Sequence, residues 1–144
     1  SSDRNMVAVC WGNRDAHSNE DKSCDAKRGS LKDIQQSMKK INVFDGTTLS
    51  DIKYSSDGTI YSNDKDLDED LNLRLNLNCE ARRLKECRLQ ALHALHRSIA
   101  QKYFGKTAPQ SYYQKLMEHY TAQQEMKTPY SGILIYWLNK HIRQ

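Results

Sequence analysis

The chain has 144 residues, 38% of them hydrophobic and 28% charged, with a formal net charge of +4: enough for one ordinary domain with a core, at the polar end of the globular range. No apolar run approaches the roughly 18 residues of a membrane helix, and no charged head with an apolar stretch marks a signal peptide, so the expectation is a cytoplasmic chain, off the membrane, with reduced cysteines. The mild basic excess is compatible with a nucleic-acid partner and does not require one.

In chain order, residues 6–9 (Met-Val-Ala-Val) read as a short buried strand or extended segment. Residues 11–23 read as loop, because Gly12, Asn13, Asp15, Ser18, Asn19 and Asp21 are turn formers without an apolar period. Ser23 or Asp25 can cap a short helix over 25–28, and Gly29 can end it. In residues 31–41, Leu31, Ile34, Met38 and Ile41 recur at helical spacing, with an extended connection as the alternative. Residues 52–54 and 59–61 are short runs rich in β-formers around Ser-Ser-Asp-Gly, a strong hairpin signal.

After the hairpin the pattern turns helical. Leu67, Leu71 and Leu75 are spaced by four, over a helix from 66 to 75 with an acidic start. Residues 76–78 read as a break. Residues 79–104 read as the longest helix, with one stripe through Leu84, Arg88, Leu95, Ile99 and Tyr103. Pro109 opens a helix to about residue 126, and residues 133–141 form a nearly continuous apolar helix. The acidic segment 57–70 and the basic segment 80–106 read most simply as solvated surface, with a phosphate-tracking face as the alternative for the Arg-rich stretch 82–97. His93 and His96 are spaced by three, which suits a metal as well as ordinary core or surface histidines; His119 and His141 read as surface.

Chemistry-bearing residues concentrate in residues 5–29. Thiolates from Cys10 and Cys24 make half of a tetrahedral zinc site, and His17 between them is a third donor. Cys79 and Cys87 fall on the long helix and read as structural. Without further context Asn5 reads as a strand-start residue and Asp25 as a helix cap.

Asn5-Met6, the apolar run into Cys10, and Cys24-Asp25-x-x-Arg28-Gly29 together resemble the second half of an HNH nuclease motif. The segment 52–62, the Asp70-Leu71-Asn72 and Leu75-Asn76-Leu77-Asn78 pair, and the Arg-rich helix after it are similar to one HNH branch: the nuclease subunits of Septu and retron-associated anti-phage systems, which work beside an ABC/SMC-like ATPase. The resemblance covers residues 5–88. It implies an α+β fold: a partial ββα-metal core with zinc-knuckle cysteines and a β-hairpin over 1–65, then a helical C-terminal region over 66–144. It implies a metal-dependent endonuclease that hydrolyses phosphodiester bonds of DNA or RNA in anti-phage defence. Asn5 then orients the general-base His, Asp25 ligates a catalytic Mg²⁺ or Mn²⁺, Cys10 and Cys24 are the second pair of a structural Zn²⁺ site, and Lys27 and Arg28 lie near the phosphate backbone. The partners implied are the ATPase subunit, the nucleic-acid substrate, and a retron reverse transcriptase with its RNA–DNA hybrid.

The same resemblance places the general-base His and the first Cys pair upstream of Ser1, so both sites are expected to be incomplete within these residues. Asp25 also stands where His or Asn is usual, a change that keeps an oxygen ligand for a hard cation. Two rival functions are a non-catalytic zinc-stapled adaptor docking on an ATPase and a basic helical nucleic-acid-binding module.

Overall fold

The hairpin is the pivot of the N-terminal part. Strands β1 (Lys53–Tyr54) and β2 (Ile60–Tyr61) pair antiparallel, Lys53 opposite Tyr61 and Tyr54 opposite Ile60. Gly58 takes the left-handed φ of 87° that the turn requires, and its N–H donates to the Ser55 carbonyl at 3.1 Å. Asp57 locks the turn by accepting from the Ser55 hydroxyl and from the Thr59 N–H. Those bonds, Ser55 first, hold its carboxyl well below the usual carboxylate range.

The computed structural model describes residues 12–41, 50–122 and 128–142. Its helices are α1 (Cys24–Gly29), α2 (Asp33–Gln36), α3 (Lys65–Glu69), α4 (Leu84–Lys102), α5 (Gln110–Ala122) and α6 (Ser131–Ile142). The fold is α+β, mostly helical with a two-stranded hairpin, as the sequence predicts at that level. Among the described residues no helix is long and apolar enough to cross a membrane. The chain divides into compact units Ser1–Lys85 and Glu86–Gln144, where the sequence suggests a division after residue 65.

In the first unit, Ile60, Leu67 and Leu71 are buried together, with Ile41, Ile52, Tyr54 and Leu77 packed on them. Burial of each of these leucines contributes roughly 1.5–3 kcal/mol. Helix α3 is capped by Asp64, whose carboxylate accepts from the N–H groups of Asp66 and Leu67. It runs into a π-helical turn, Asp70–Arg74, instead of continuing as α-helix to Leu75.

Asp70 lies at the start of that turn and is fully buried. Its carboxylate accepts from three successive backbone N–H groups, Lys39 (3.0 Å), Lys40 (2.7 Å) and Ile41 (2.9 Å), and from Arg74 Nη1 at 3.1 Å. This overturns the helical option for residues 31–41. Only α2 is helical there, Ile34 is 90% exposed, and the amides of 39–41 turn to Asp70 instead of to an earlier carbonyl. Lys39 reinforces the join through Glu69 at 2.6 Å.

The long helix also starts later than the sequence predicts. Residues 80–83 are a turn ending at left-handed Arg83 (φ 51°), Asn76 (φ 48°) is left-handed just before residues 77–83, and α4 begins at Leu84.

In the second unit the core is formed by Leu95 and Ile99 of α4, Ala108, Tyr113 of α5, and Ile133, Leu134 and Leu138 of α6. The terminator Gly105 (φ 78°) donates its N–H to the Ala100 carbonyl. Trp137 organises an aromatic cluster: His141 stacks on it at 3.8 Å, His96 lies 4.5 Å away, and Tyr113 meets it edge-on at 5.9 Å. His141 is thus partly buried, where the sequence reads it as surface.

Candidate functional site

The site that the sequence singles out is built around the start of α1. Gly12 adopts φ 65°, and its carbonyl accepts the Ser23 N–H at 2.9 Å. A Cβ there would sit 2.3 Å from the Ser23 carbonyl oxygen and 3.0 Å from Ala26 Cβ, so only glycine lets the incoming chain lie this close to α1. The loop then folds on itself. Asn13 donates to the Asp21 carbonyl at 3.0 Å, and the Ser18 hydroxyl caps the short 3-10 turn Asn19–Asp21.

The Leu-Asn-Leu-Asn segment fixes that loop from 50 residues downstream and more. Asn76 Nδ2 donates to the carbonyls of Glu20 and Lys22, both at 2.8 Å. The Cys24 N–H donates to the Leu75 carbonyl at 2.7 Å, and the Cys79 thiol points at the Glu20 carbonyl at 3.6 Å. Two residues further on, Asn78 reaches the other way. Its Oδ1 accepts the Ile60 N–H, and its Nδ2 donates to the Ile60 carbonyl and to Asn72 Oδ1. Asn72 passes the chain on to Asp68, which also accepts the Ser62 N–H. One short segment therefore joins α1, the hairpin and the π-helical turn.

Ser23 occupies the N-cap position of α1 but makes no cap bond. It is fully buried, and its hydroxyl accepts from Arg82 Nη1 at 3.3 Å. Cys24 opens the helix at an unusual φ of 55° for a non-glycine residue. Its sulfur is disulfide-bonded, while Cys79 and Cys87 are free thiols. That differs from the expectation of a reduced cysteine at this position.

Of the residues expected to carry function, Asn5, Cys10 and the side chain of Asp25 lie outside the described residues; Asp25 is the second residue of α1. Lys27 and Arg28 lie in the last turn of α1, both half-buried. Lys27 Nζ donates to the Asn19 carbonyl at 3.1 Å, so it pins the loop as well as adding charge. His17 is exposed in that loop. Among the described residues no group of three or more His, Cys, Asp or Glu side chains could hold a metal ion, and neither the His93/His96 pair nor His17 with Cys24 makes one.

The sequence marks Ser23 only as a candidate cap and Arg82 only as part of an Arg-rich stretch, and it gives no bonding role to Asp70, Asn76 or Asn78. The one available signal was asparagine alternating with leucine in an otherwise helical stretch, since Asn favours side-chain-to-backbone bonds over helix interiors. No family model matches the chain, and neither a curated protein nor a solved structure matches it.

Proposed function

We propose that this chain carries the second half of an HNH-type, metal-dependent endonuclease site that hydrolyses phosphodiester bonds of DNA or RNA in anti-phage defence, beside an ABC/SMC-like ATPase. The observation that carries the reading is the double clasp of Asn76 and Asn78. Of the segments that carry the resemblance, three that are separated in the chain lie among the described residues: those around Cys24-Asp25, around Asp57-Gly58 and around Asn76-Asn78. All three are bonded together within one compact unit. The cationic residues Lys22, Lys27 and Arg28 lie on or beside α1, where a polyanionic backbone would be attracted.

The described residues do not by themselves form a metal site. Metal dependence, the ATPase and the retron partner therefore rest on the resemblance. The test is cleavage of supercoiled plasmid and labelled RNA by the complete protein with its ATPase, in Mg²⁺, in Mn²⁺ and in EDTA. Loss of groups that merely support a metal ligand costs 10–100-fold, so Asp25→Ala should lower cleavage by about 100-fold or more with the fold retained. Cleavage by Asp25→Ala at the wild-type rate would remove this site as the source of the activity and overturn the reading, and a wild type that cleaves neither substrate would favour the non-catalytic adaptor.

A further inference from the structure

Arg82 stands out among the cationic residues of the first unit. Its backbone is in the turn region between Asn78 and α4, yet its guanidinium reaches Ser23, the residue immediately before Cys24-Asp25. The hydroxyl it binds is fully buried and would ordinarily cap α1. A guanidinium has five N–H donors in a fixed fork. Arg82 spends one of them on Ser23, has no carboxylate within ion-pair distance among the described residues, and keeps part of its surface exposed. Arg74, in the same unit, is by contrast paired with Asp70 at 3.1 Å. A guanidinium held on one side by Ser23, with spare donors and part of its surface exposed, is suited to two non-bridging oxygens of one phosphate.

We propose that Arg82 is a backbone-phosphate-binding residue, held by Ser23 so that it grips a nucleic-acid phosphodiester beside the start of α1. The inference rests on the nucleic-acid reading given above and adds the residue that fixes the strand there. Lys27 contributes a second positive charge from the last turn of α1, although its ammonium is engaged with the Asn19 carbonyl.

The test measures binding apart from cleavage. The complete protein is titrated, in EDTA, against fluorescein-labelled single-stranded DNA, duplex DNA and duplex RNA over a range of salt concentrations. Arg82→Gln should weaken binding about tenfold at moderate salt and reduce the slope of log affinity against log salt by about one. Arg82→Lys should restore the slope and part of the affinity, because it keeps the charge and loses the fork. Ser23→Ala, which keeps the guanidinium, should retain the slope. Should Arg82→Gln fail to fold, Ser23→Ala/Arg82→Gln leaves neither partner unsatisfied and is read in its place.

The proposal is overturned if the uncharged variant binds with wild-type affinity and slope, or if the wild type binds none of the three probes. Its fate is separable from that of the nuclease. Arg82-dependent binding without cleavage in Mg²⁺ or Mn²⁺ sinks the nuclease and leaves Arg82 standing. Cleavage with an Arg82→Gln variant that binds normally does the reverse.

Discussion

The side-chain amide of Asn78 pairs with the backbone of Ile60 as a neighbouring strand would, accepting its N–H at 2.9 Å and donating to its carbonyl at 2.8 Å. Strand β2 is only two residues long, and the ladder with β1 covers one of its edges. The amide satisfies part of the other edge, which is how so short a hairpin becomes part of a packed unit. Asn78→Ala leaves a partly buried donor and acceptor without these partners, and each orphaned group costs about 1–3 kcal/mol. We expect Asn78→Ala to lower stability by about 2–4 kcal/mol in urea unfolding, and Asn78→Asp to cost a similar amount because it keeps only the acceptor. An unchanged urea midpoint for both variants would dismiss the clasp.

Asp70 does for residues 39–41 what Asn78 does for the hairpin, with the charge of Arg74 added. Arg74 is 4% exposed, so removing Asp70 leaves a buried cation with only the longer, 3.7 Å pair to Glu69. Asp70→Ala should cost about 3–5 kcal/mol. Adding Arg74→Met to Asp70→Ala should recover part of that loss, since the second change removes the stranded charge. A double variant as unstable as the sum of the two single ones would show that the pair is not coupled.

The parts of this fold that the sequence made legible are those fixed by nearest neighbours in the chain. Asp57-Gly58 specifies its turn through bonds that span only residues 55–59. Pro109 announces the start of α5 to within one residue and the apolar run 133–141 both ends of α6 to within two, while the expected end of α5 near residue 126 lies outside the described residues. What was misread depends on partners far away in sequence. Leu31, Ile34, Met38 and Ile41 have helical spacing, yet the amides of 39–41 are taken by a carboxylate some 30 residues on. The apolar stripe predicts a helix from residue 79, but the stretch before Leu84 is held out of it by bonds of Asn76, Asn78 and Arg82 to Glu20, Lys22, Ile60 and Ser23. The site itself was legible only as a cluster of residue types. That Arg82 meets Ser23 across 59 positions carries no local signature.

The disulfide at Cys24 makes a prediction that separates it from a zinc-thiolate site. Alkylation with iodoacetamide in denaturant without reductant should modify Cys79 and Cys87, which are free thiols, and leave Cys24 unmodified. After treatment with a reductant Cys24 should be alkylated too. A zinc-bound Cys24 would instead react in denaturant with a chelator and no reductant, because unfolding releases the metal and leaves a thiol. Peptide mass mapping of Cys24 under the two conditions reads the outcome directly.

His96 sets the pH response of the helical unit. Burial, and then the neighbouring His93 and His141, depress its pKa below the ordinary histidine value, and its Nε2 has no partner among the described residues. With the folded pKa below the unfolded one, the unfolded chain binds more protons as pH falls through about 6.5. Stability is therefore full above that pH and declines below it, down to the depressed folded value. The carboxylates act in a separate window. Asp57, Asp64 and Glu69 are held low by the Ser55 hydroxyl, the Leu67 N–H and the Lys39 ammonium respectively. Their stabilisation persists down to the unfolded carboxylate range near pH 4 and is lost only below it. Urea unfolding followed by Trp137 fluorescence in a Trp11→Phe background should show a mildly acidic decline that His96→Gln removes and Asp57→Asn leaves in place. A decline that survives His96→Gln would assign it to another group.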